Sequence, residues 1–255
     1  RNLDGTPTEA TIPAMDLTVQ AHSGSMSTTG NEHDPPLKSG TAYIDFLGGT
    51  HLYGAITTAL FEVERTNQGR SVEVSMADAA YFTLATHLGQ WQKTGTTMRN
   101  GNRHAGLAMA PYNVYECADG HLAIICVANR HWRALLGAIG RNDLLDDDRL
   151  RGQQGRSENM AEVDALVTDW SSKLSKFEAA TRLQNAHVPA AAVRTVDEVV
   201  HDANQIDRKA IQWIHHPELG DIPLHASPIR WHDSDLVELV ANRALGADND
   251  ILDGL

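Results

Sequence analysis

The spacing of apolar residues along the chain predicts a succession of helices and strands. One long segment carries apolar residues at intervals of three and four, which predicts a helix at Tyr43–Thr66. Asn67 and Gly69 follow it, and both residue types tolerate the left-handed conformation that ends many helices. The predicted buried face of this helix consists of Ile44, Leu47, Leu52, Ile56, Ala59, Leu60 and Val63.

Shorter elements are predicted by alternation and by turn residues. Val72, Val74 and Met76 would form one face of a strand at 71–76, and helical spacing follows at 77–88. The turn sequence Ala118-Asp-Gly120 predicts a hairpin. The other predicted elements are strands at 17–21, Tyr112–Cys117 and 121–127, and helices at 131–139, 157–170 and 175–185.

This mixture of helices and strands predicts an α/β fold in three segments. We expect residues 1–98 to belong to a larger domain and residues 99–204 to form a smaller α/β domain. Residues 205–255 are expected to return to the larger domain. Thr195 and Glu198 have the spacing of a capping box and predict a helix start near the end of the second segment.

Composition narrows the classes of function. Hydrophobic residues make up 42% of the chain and charged residues 21%, as in ordinary globular proteins. No apolar run approaches about 18 residues, so we expect no membrane span. The formal charge of −12 argues against nucleic acid, whose phosphates would be repelled. Cys117 and Cys126 do not form a disulfide framework, which fits a cytoplasmic location.

The 13 histidines do not indicate a metal site. Zinc ligands occur at recognisable spacings, whereas residues such as His22, His51 and His87 are scattered. We therefore expect no metal and no permanently bound cofactor.

Asp78 is the residue for which the sequence gives the clearest indication of a chemical role. It lies where the predicted strand at 71–76 meets the following helix, near the positive end of the helix dipole, which favours an anion. A carboxylate is ionised at neutral pH, so it needs no general base to act as a nucleophile. The alternative role is structural, because Ser75 and Asp78 have the spacing of a capping box. On spacing alone, capping is the more frequent role.

Motifs on both sides of Asp78 occur in a fixed order. Asp16-Leu-Thr-Val-Gln-Ala-His-Ser-Gly24 and Thr29-Gly30 precede it, and Ser75-Met-Ala-Asp-Ala79 contains it. The motifs that follow are Gly101-Asn-Arg-His104, Ala110-Pro-Tyr-Asn-Val-Tyr115, His216-Pro-Glu-Leu-Gly220 and Ser227-Pro-Ile-Arg230. From about position 13 to the end, this order resembles family III of the CoA-transferases, the formyl-CoA transferase and carnitine CoA-transferase (CaiB/BaiF) group.

The resemblance implies a fold, a reaction and a set of site residues. The fold would be a large Rossmann-like αβ domain plus a smaller α/β domain, assembled as an interlocked homodimer. The reaction would move coenzyme A, bound as a substrate, between an acyl-CoA and a carboxylic acid. Asp78 would be the nucleophile, forming an aspartyl mixed anhydride and an aspartyl-CoA thioester without ATP or a metal. The residues expected to bind substrate or coenzyme A are Gln20, Asn102, Arg103, His104 and Tyr112.

Two alternatives stay open. α-Methylacyl-CoA racemases share the fold but carry a Gly-His pair before the long helix, and His22 is displaced from that position here. Met15 stands where transferases often have a tyrosine, and if that tyrosine donates a hydrogen bond in relatives, this chain needs another donor. Gln20 is the candidate for contacting the acyl carbonyl. The second alternative is a non-catalytic or incomplete subunit, since the family's opening segment is not found and the sequence is expected to be N-terminally incomplete. The presence of Asp78 argues against it.

Overall fold

The computed structural model describes residues 13–252, so positions 1–12 and 253–255 of the expected outer segments lie outside the described residues. The chain divides into two compact units, one ending at Ala192 and the other beginning at Val193. The division into 1–98, 99–204 and 205–255 stays a prediction.

The first unit contains eight α-helices and a three-stranded sheet within the described residues. Its first part holds the helices α1 Asp16–His22, α2 Tyr43–Thr66, α3 Met76–Phe82 and α4 Ala85–Thr94, with a 3₁₀ turn at Ser25–Thr28. Its second part holds β1 Tyr112–Cys117, β2 Gly120–Ile125, α5 Asn129–Ala138, a 3₁₀ turn at Asn142–Leu144, α6 Gln153–Glu158, α7 Met160–Ser171, α8 Lys176–Asn185 and β3 Ala190–Ala192.

The sheet is antiparallel throughout, with β2 in the centre between β1 and β3. The predicted hairpin is confirmed, because Cys117 pairs with Gly120 and Gly120 takes a φ of 154°, which glycine adopts easily. Tyr115 and Leu122 pair across the two strands and are buried. The core formed by the sheet and helices α5, α7 and α8 includes Tyr115, Leu122, Ile124, Trp132, Leu135, Leu136, Val163, Val167 and Leu183.

Helix α2 has the predicted bounds, and Asn67 ends it in the left-handed conformation at φ 53°. The prediction of its buried face was right for Ile44 and wrong for Leu52, Ile56 and Leu60. Ile44 is buried, but Leu52 and Leu60 are 39% and 60% exposed. The physical reason is that α1 and α3 cover only the start of α2, where Val19, Ile44 and Ala80 form a small buried cluster.

Several other elements differ from the prediction. Residues 17–21 lie in helix α1, because their backbone forms helical hydrogen bonds such as that from the Val19 amide to the Met15 carbonyl at 2.9 Å. Gln20 Nε2 also donates to Asp16 Oδ2, four residues earlier, at 2.6 Å. Residues 71–75 form no strand, since no strand of the described chain pairs with them and a strand needs such a partner. The predicted helix at 77–88 is two helices, α3 and α4, and the one at 157–170 is also two, α6 and α7.

The second unit is smaller and contains one antiparallel hairpin within the described residues. Its elements are α9 Val196–Val200, α10 Ala203–Asp207, β4 Ile211–His216, β5 Gly220–His225 and α11 Asn249–Leu252. The predicted capping box at the start of α9 is confirmed, with Thr195 Oγ1 accepting from Glu198 N and Glu198 Oε2 accepting from Thr195 N. No helix within residues 13–252 is both long enough and apolar enough to cross a membrane.

Candidate active site

Asp78 lies in the first turn of α3 and is exposed. Ser75 is the N-cap residue, and its Oγ accepts a hydrogen bond from the Asp78 amide at 3.3 Å. Only this half of the predicted capping box forms, because the Asp78 carboxylate makes no hydrogen bond or ion pair within the described chain. Ala79 and Ala80 are buried next to it and hold the helix in place. The carboxylate is therefore available for chemistry.

Gln20 lies on the neighbouring helix α1 and is 1% exposed. Its Nε2 donates to Asp16, and its Oε1 accepts from the Ser39 amide at 2.9 Å. Asp16 Oδ1 also accepts from the Ile44 amide in the first turn of α2. Gln20 and Asp16 together fasten the segment before α2 to α1, a structural role that the sequence did not indicate.

Two of the motif segments meet across a large sequence separation. Arg99 donates to the backbone carbonyls of Asn31, Glu32 and Asp34 at distances of 2.7–3.0 Å. The Gly101 amide donates to the Gly30 carbonyl at 2.9 Å. Gly101 has a φ of 61°, and a Cβ placed on it would lie 2.8 Å from Asn31 Oδ1, so glycine permits this close approach.

The carboxylate of Asp164 on α7 collects hydrogen bonds from three side chains. Its Oδ2 accepts from Arg103 Nε and Nη2 at 3.0 and 2.7 Å and from Asn113 Nδ2 at 3.1 Å. Its Oδ1 accepts from the Tyr115 hydroxyl at 2.8 Å. Burial, together with the Asp164 carboxylate, raises the pKa of Tyr115 well above its usual range, so this hydroxyl stays a donor. Arg103 is thereby fixed in direction.

His104 follows Arg103 and packs edge-on against the Tyr112 ring, with 5.5 Å between ring centroids. Its Nδ1 accepts a hydrogen bond from the Gly106 amide at 3.2 Å. Burial and then the nearby His104 lower the pKa of His87 on α4. His87 is therefore neutral at neutral pH, and its buried Nδ1 has no hydrogen-bond partner in the described chain.

Three cavities adjoin these residues. One of about 460 Å³ lies on the outer face of the sheet and includes Asn102, Tyr112 and Asn113 in its lining. A second of about 390 Å³ has Leu84, Leu88 and Trp91 in its lining and is mainly apolar. A third of about 200 Å³ has a mixed polar and apolar lining and lies where the 29–34 segment meets the 99–107 segment; Arg99 and Arg103 both line it.

The structure thus brings together four of the six site residues predicted from sequence: Asn102, Arg103, His104 and Tyr112. Gln20 lies on α1, which packs against the Asp78 helix. The sequence reasoning missed Asp164, since a single acidic residue on an amphipathic helix gives no signal of its own. Within residues 13–252, no three His, Cys, Asp or Glu side chains come together in a way that would hold a metal ion.

Similarity to known proteins extends over most of the chain. A family model described as CoA-transferase family III matches residues 3–249. The formyl-CoA:oxalate CoA-transferase of Streptomyces avermitilis is 28% identical over 92% of this chain and 61% of its own length. The acetyl-CoA:oxalate CoA-transferase of Acetobacter aceti is 36% identical over 76% of this chain and 49% of its own length. The chain therefore spans at most 61% of the length of these two relatives.

A solved structure shows the same fold. The crystal structure of a CaiB/BaiF family protein from Brucella suis matches this chain with a TM-score of 0.79 and 26% identity. The match covers 98% of this chain and 64% of the other. This likeness confirms the predicted α/β fold class.

Proposed function

The chain belongs to CoA-transferase family III, and from that premise we propose that it supplies the nucleophile for transfer of coenzyme A from an acyl-CoA to a carboxylic acid. The relatives named above support this reaction, since both are named as CoA-transferases that act with oxalate. Coenzyme A enters as a substrate, so the proposed reaction requires no permanently bound cofactor.

In the proposed mechanism, Asp78 attacks the thioester carbonyl of the acyl-CoA. A C–O bond forms, the C–S bond breaks, and coenzyme A leaves as a thiolate, which produces an aspartyl mixed anhydride. The thiolate then attacks the aspartyl carbonyl and releases the first acid, leaving an aspartyl-CoA thioester. The second acid attacks this thioester to give a new anhydride and free thiolate. Attack of the thiolate on the new acyl carbonyl forms the product and regenerates the Asp78 carboxylate.

The observation that carries the proposal is the state of Asp78. Its amide is bonded to Ser75, whereas its carboxylate is exposed and makes no bond within the described chain. A purely structural capping role would engage that carboxylate with the Ser75 amide. The arrangement therefore favours the nucleophilic role over the structural one.

We assign a second set of polar groups to substrate binding. Asn102, Arg103, His104 and Tyr112 lie together, and Asp164 fixes the direction of Arg103. Gln20 is the proposed donor to the acyl carbonyl, because its Nε2 carries a second hydrogen besides the one given to Asp16.

The wider setting of the reaction is also part of the proposal. We place the protein in the cytoplasm, as a homodimer, with an acyl-CoA and a carboxylic acid as its partners. Two buried free cysteines are compatible with a reducing compartment.

Trapping with hydroxylamine tests the role of Asp78. After exposure to a set of acyl-CoAs and a hydroxylamine quench, peptide mass spectrometry should find a hydroxamate on Asp78. The Asp78→Asn variant should lose the adduct and reduce transfer by roughly 10³-fold or more. Asp45→Asn is the matched control, since Asp45 is an exposed acid in the first turn of α2, and it should retain both.

The same experiment separates the alternatives. No hydroxamate, combined with exchange of the α-proton of a 2-methylacyl-CoA, would replace the transferase with a racemase. The absence of both the hydroxamate and the proton exchange would support a non-catalytic chain.

A further inference from the structure

Two arginine residues line the cavity of about 200 Å³ between the 29–34 and 99–107 segments. The other groups around it include Asn31, Asn100 and Gly101. A cavity of this size with two guanidinium groups suits a small anionic group better than an apolar one, because guanidinium groups bind carboxylates and phosphates with directed hydrogen bonds.

The guanidinium of Arg99 is held by backbone carbonyls and not by a carboxylate. Its Nε and Nη2 donate only to three backbone carbonyls, those of Asn31, Glu32 and Asp34. No described carboxylate forms an ion pair with it, and its Nη1 makes no hydrogen bond to a described residue. The three carbonyls hold the guanidinium rigidly without reducing its charge.

Arg103, the second arginine of the cavity, is held by a carboxylate. Its Nε and Nη2 donate to Asp164 Oδ2, which leaves Nη1 without a partner among residues 13–252. The Arg103 side chain is 40% exposed and that of Asp164 only 14% exposed, so the ion pair anchors the arginine while one edge stays accessible. Both cations are therefore oriented before any ligand arrives, which lowers the entropic cost of binding.

We propose that this cavity is an oxyanion site that receives either a phosphoryl group of coenzyme A or the carboxylate of a substrate acid. This assignment rests on the proposed transfer reaction for the identity of its ligands. Arg99 and Arg103 each contribute one N–H edge to the anion, and Asn31 and Asn100 contribute polar side chains to the wall.

Glu32 also lines the cavity, and this provides a test in the opposite direction. Its carboxylate opposes an anion, so Glu32→Gln should tighten anion binding severalfold. The substitution leaves the Glu32 backbone carbonyl, which accepts from Arg99, unchanged. Arg103→Met should weaken anion binding by roughly tenfold or more, since a hydrogen bond to a charged group is lost.

The experiment is calorimetric titration of the chain at low ionic strength with inorganic phosphate, succinate and coenzyme A. Arg182→Met is the matched control, because Arg182 is also a half-exposed arginine paired with a carboxylate, Glu178, at 2.7 Å. It should bind like the unaltered chain. Competition between phosphate and coenzyme A would identify the phosphoryl group, whereas Arg103-dependent binding of succinate alone would identify the carboxylate.

The proposal is overturned if neither anion binds, or if a folded Arg103→Met variant binds as well as the unaltered chain. Glu32→Gln keeps the test decisive should Arg103→Met not fold, because unchanged affinity in Glu32→Gln also overturns it. Binding requires no turnover, so it can be measured in the Asp78→Asn variant. Arg103-dependent binding, together with no Asp78 hydroxamate in the unaltered chain, would reject the transfer reaction and keep the oxyanion site.

Discussion

Arg156 is fully buried. Its guanidinium donates hydrogen bonds to five neutral acceptors and to no carboxylate within the described chain. These acceptors are the carbonyls of Ala110, Leu150 and Arg151 and the side chains of Asn129 and Gln153. We expect Arg156→Met to lower the free energy of unfolding by about 3 kcal/mol, since it leaves buried acceptors unpaired. Urea denaturation measures this, and Arg182→Met should change stability by less than about 0.5 kcal/mol. Equal midpoints for the two variants would refute the role of Arg156.

Cys126 is also fully buried, and burial raises its pKa to about 12, although the nearby Arg156 acts in the opposite direction. The unfolded chain loses this proton near the ordinary value of 9.0. The folded chain therefore holds the proton longer, so the stabilising effect is complete below pH 9.0 and is lost as the pH rises toward 12. Urea midpoints measured across this interval should fall less steeply in Cys126→Ala. Some slope should remain because burial also raises the pKa of Tyr115, and an unchanged slope would contradict the assignment.

At the scale of elements, the sequence correctly predicted those helix ends and turns that depend only on neighbouring residues. Helix α2 ends at Asn67 as expected, because asparagine tolerates the left-handed conformation. The β1–β2 hairpin forms around Gly120, because glycine readily adopts a positive φ. Residues 71–75 failed as a strand because strand formation depends on a partner segment elsewhere. Alternation at 17–21 was too short to distinguish a strand from helix α1.

Two helical glycines should respond oppositely to alanine. A Cβ on Gly155 in α6 would lie 2.0 Å from the backbone carbonyl oxygen of Arg149, so Gly155→Ala should destabilise the chain by about 2 kcal/mol or more. Gly89 in α4 has no atom within 4 Å of such a Cβ, so Gly89→Ala should stabilise by up to about 1 kcal/mol. Thermal unfolding of both variants checks the signs. Equal shifts in the melting temperature of the two variants would show that the Arg149 carbonyl does not obstruct a Cβ at position 155.

At the scale of the whole molecule, the sequence grouped candidate site residues into segments but did not predict their contacts. Asn102, Arg103 and His104 belong to one motif and were predicted together, because neighbours in sequence stay neighbours in space. The contact between Arg99 and Asn31 spans 68 positions, and the partner of Arg103 is Asp164 on a distant helix. Such contacts depend on how helices pack, and neither spacing nor composition carries that information.

Helix α2 leaves a row of apolar side chains exposed along one face. Phe46, Tyr53 and Leu60 recur every seven residues and are 69%, 56% and 60% exposed. Contiguous apolar surface of this kind favours association in water. We therefore expect the 255-residue chain to self-associate with increasing concentration in sedimentation velocity experiments.

A charge in the middle of that row should oppose this association. Tyr53→Glu should shift the onset of association to concentrations at least about tenfold higher, because association would bury an unpaired carboxylate. Val196→Glu places the same charge on another exposed apolar residue, on α9, and should leave the onset unchanged. If both variants behave alike, net charge governs association. If only Tyr53→Glu acts, the exposed row of α2 is the surface through which the chains associate.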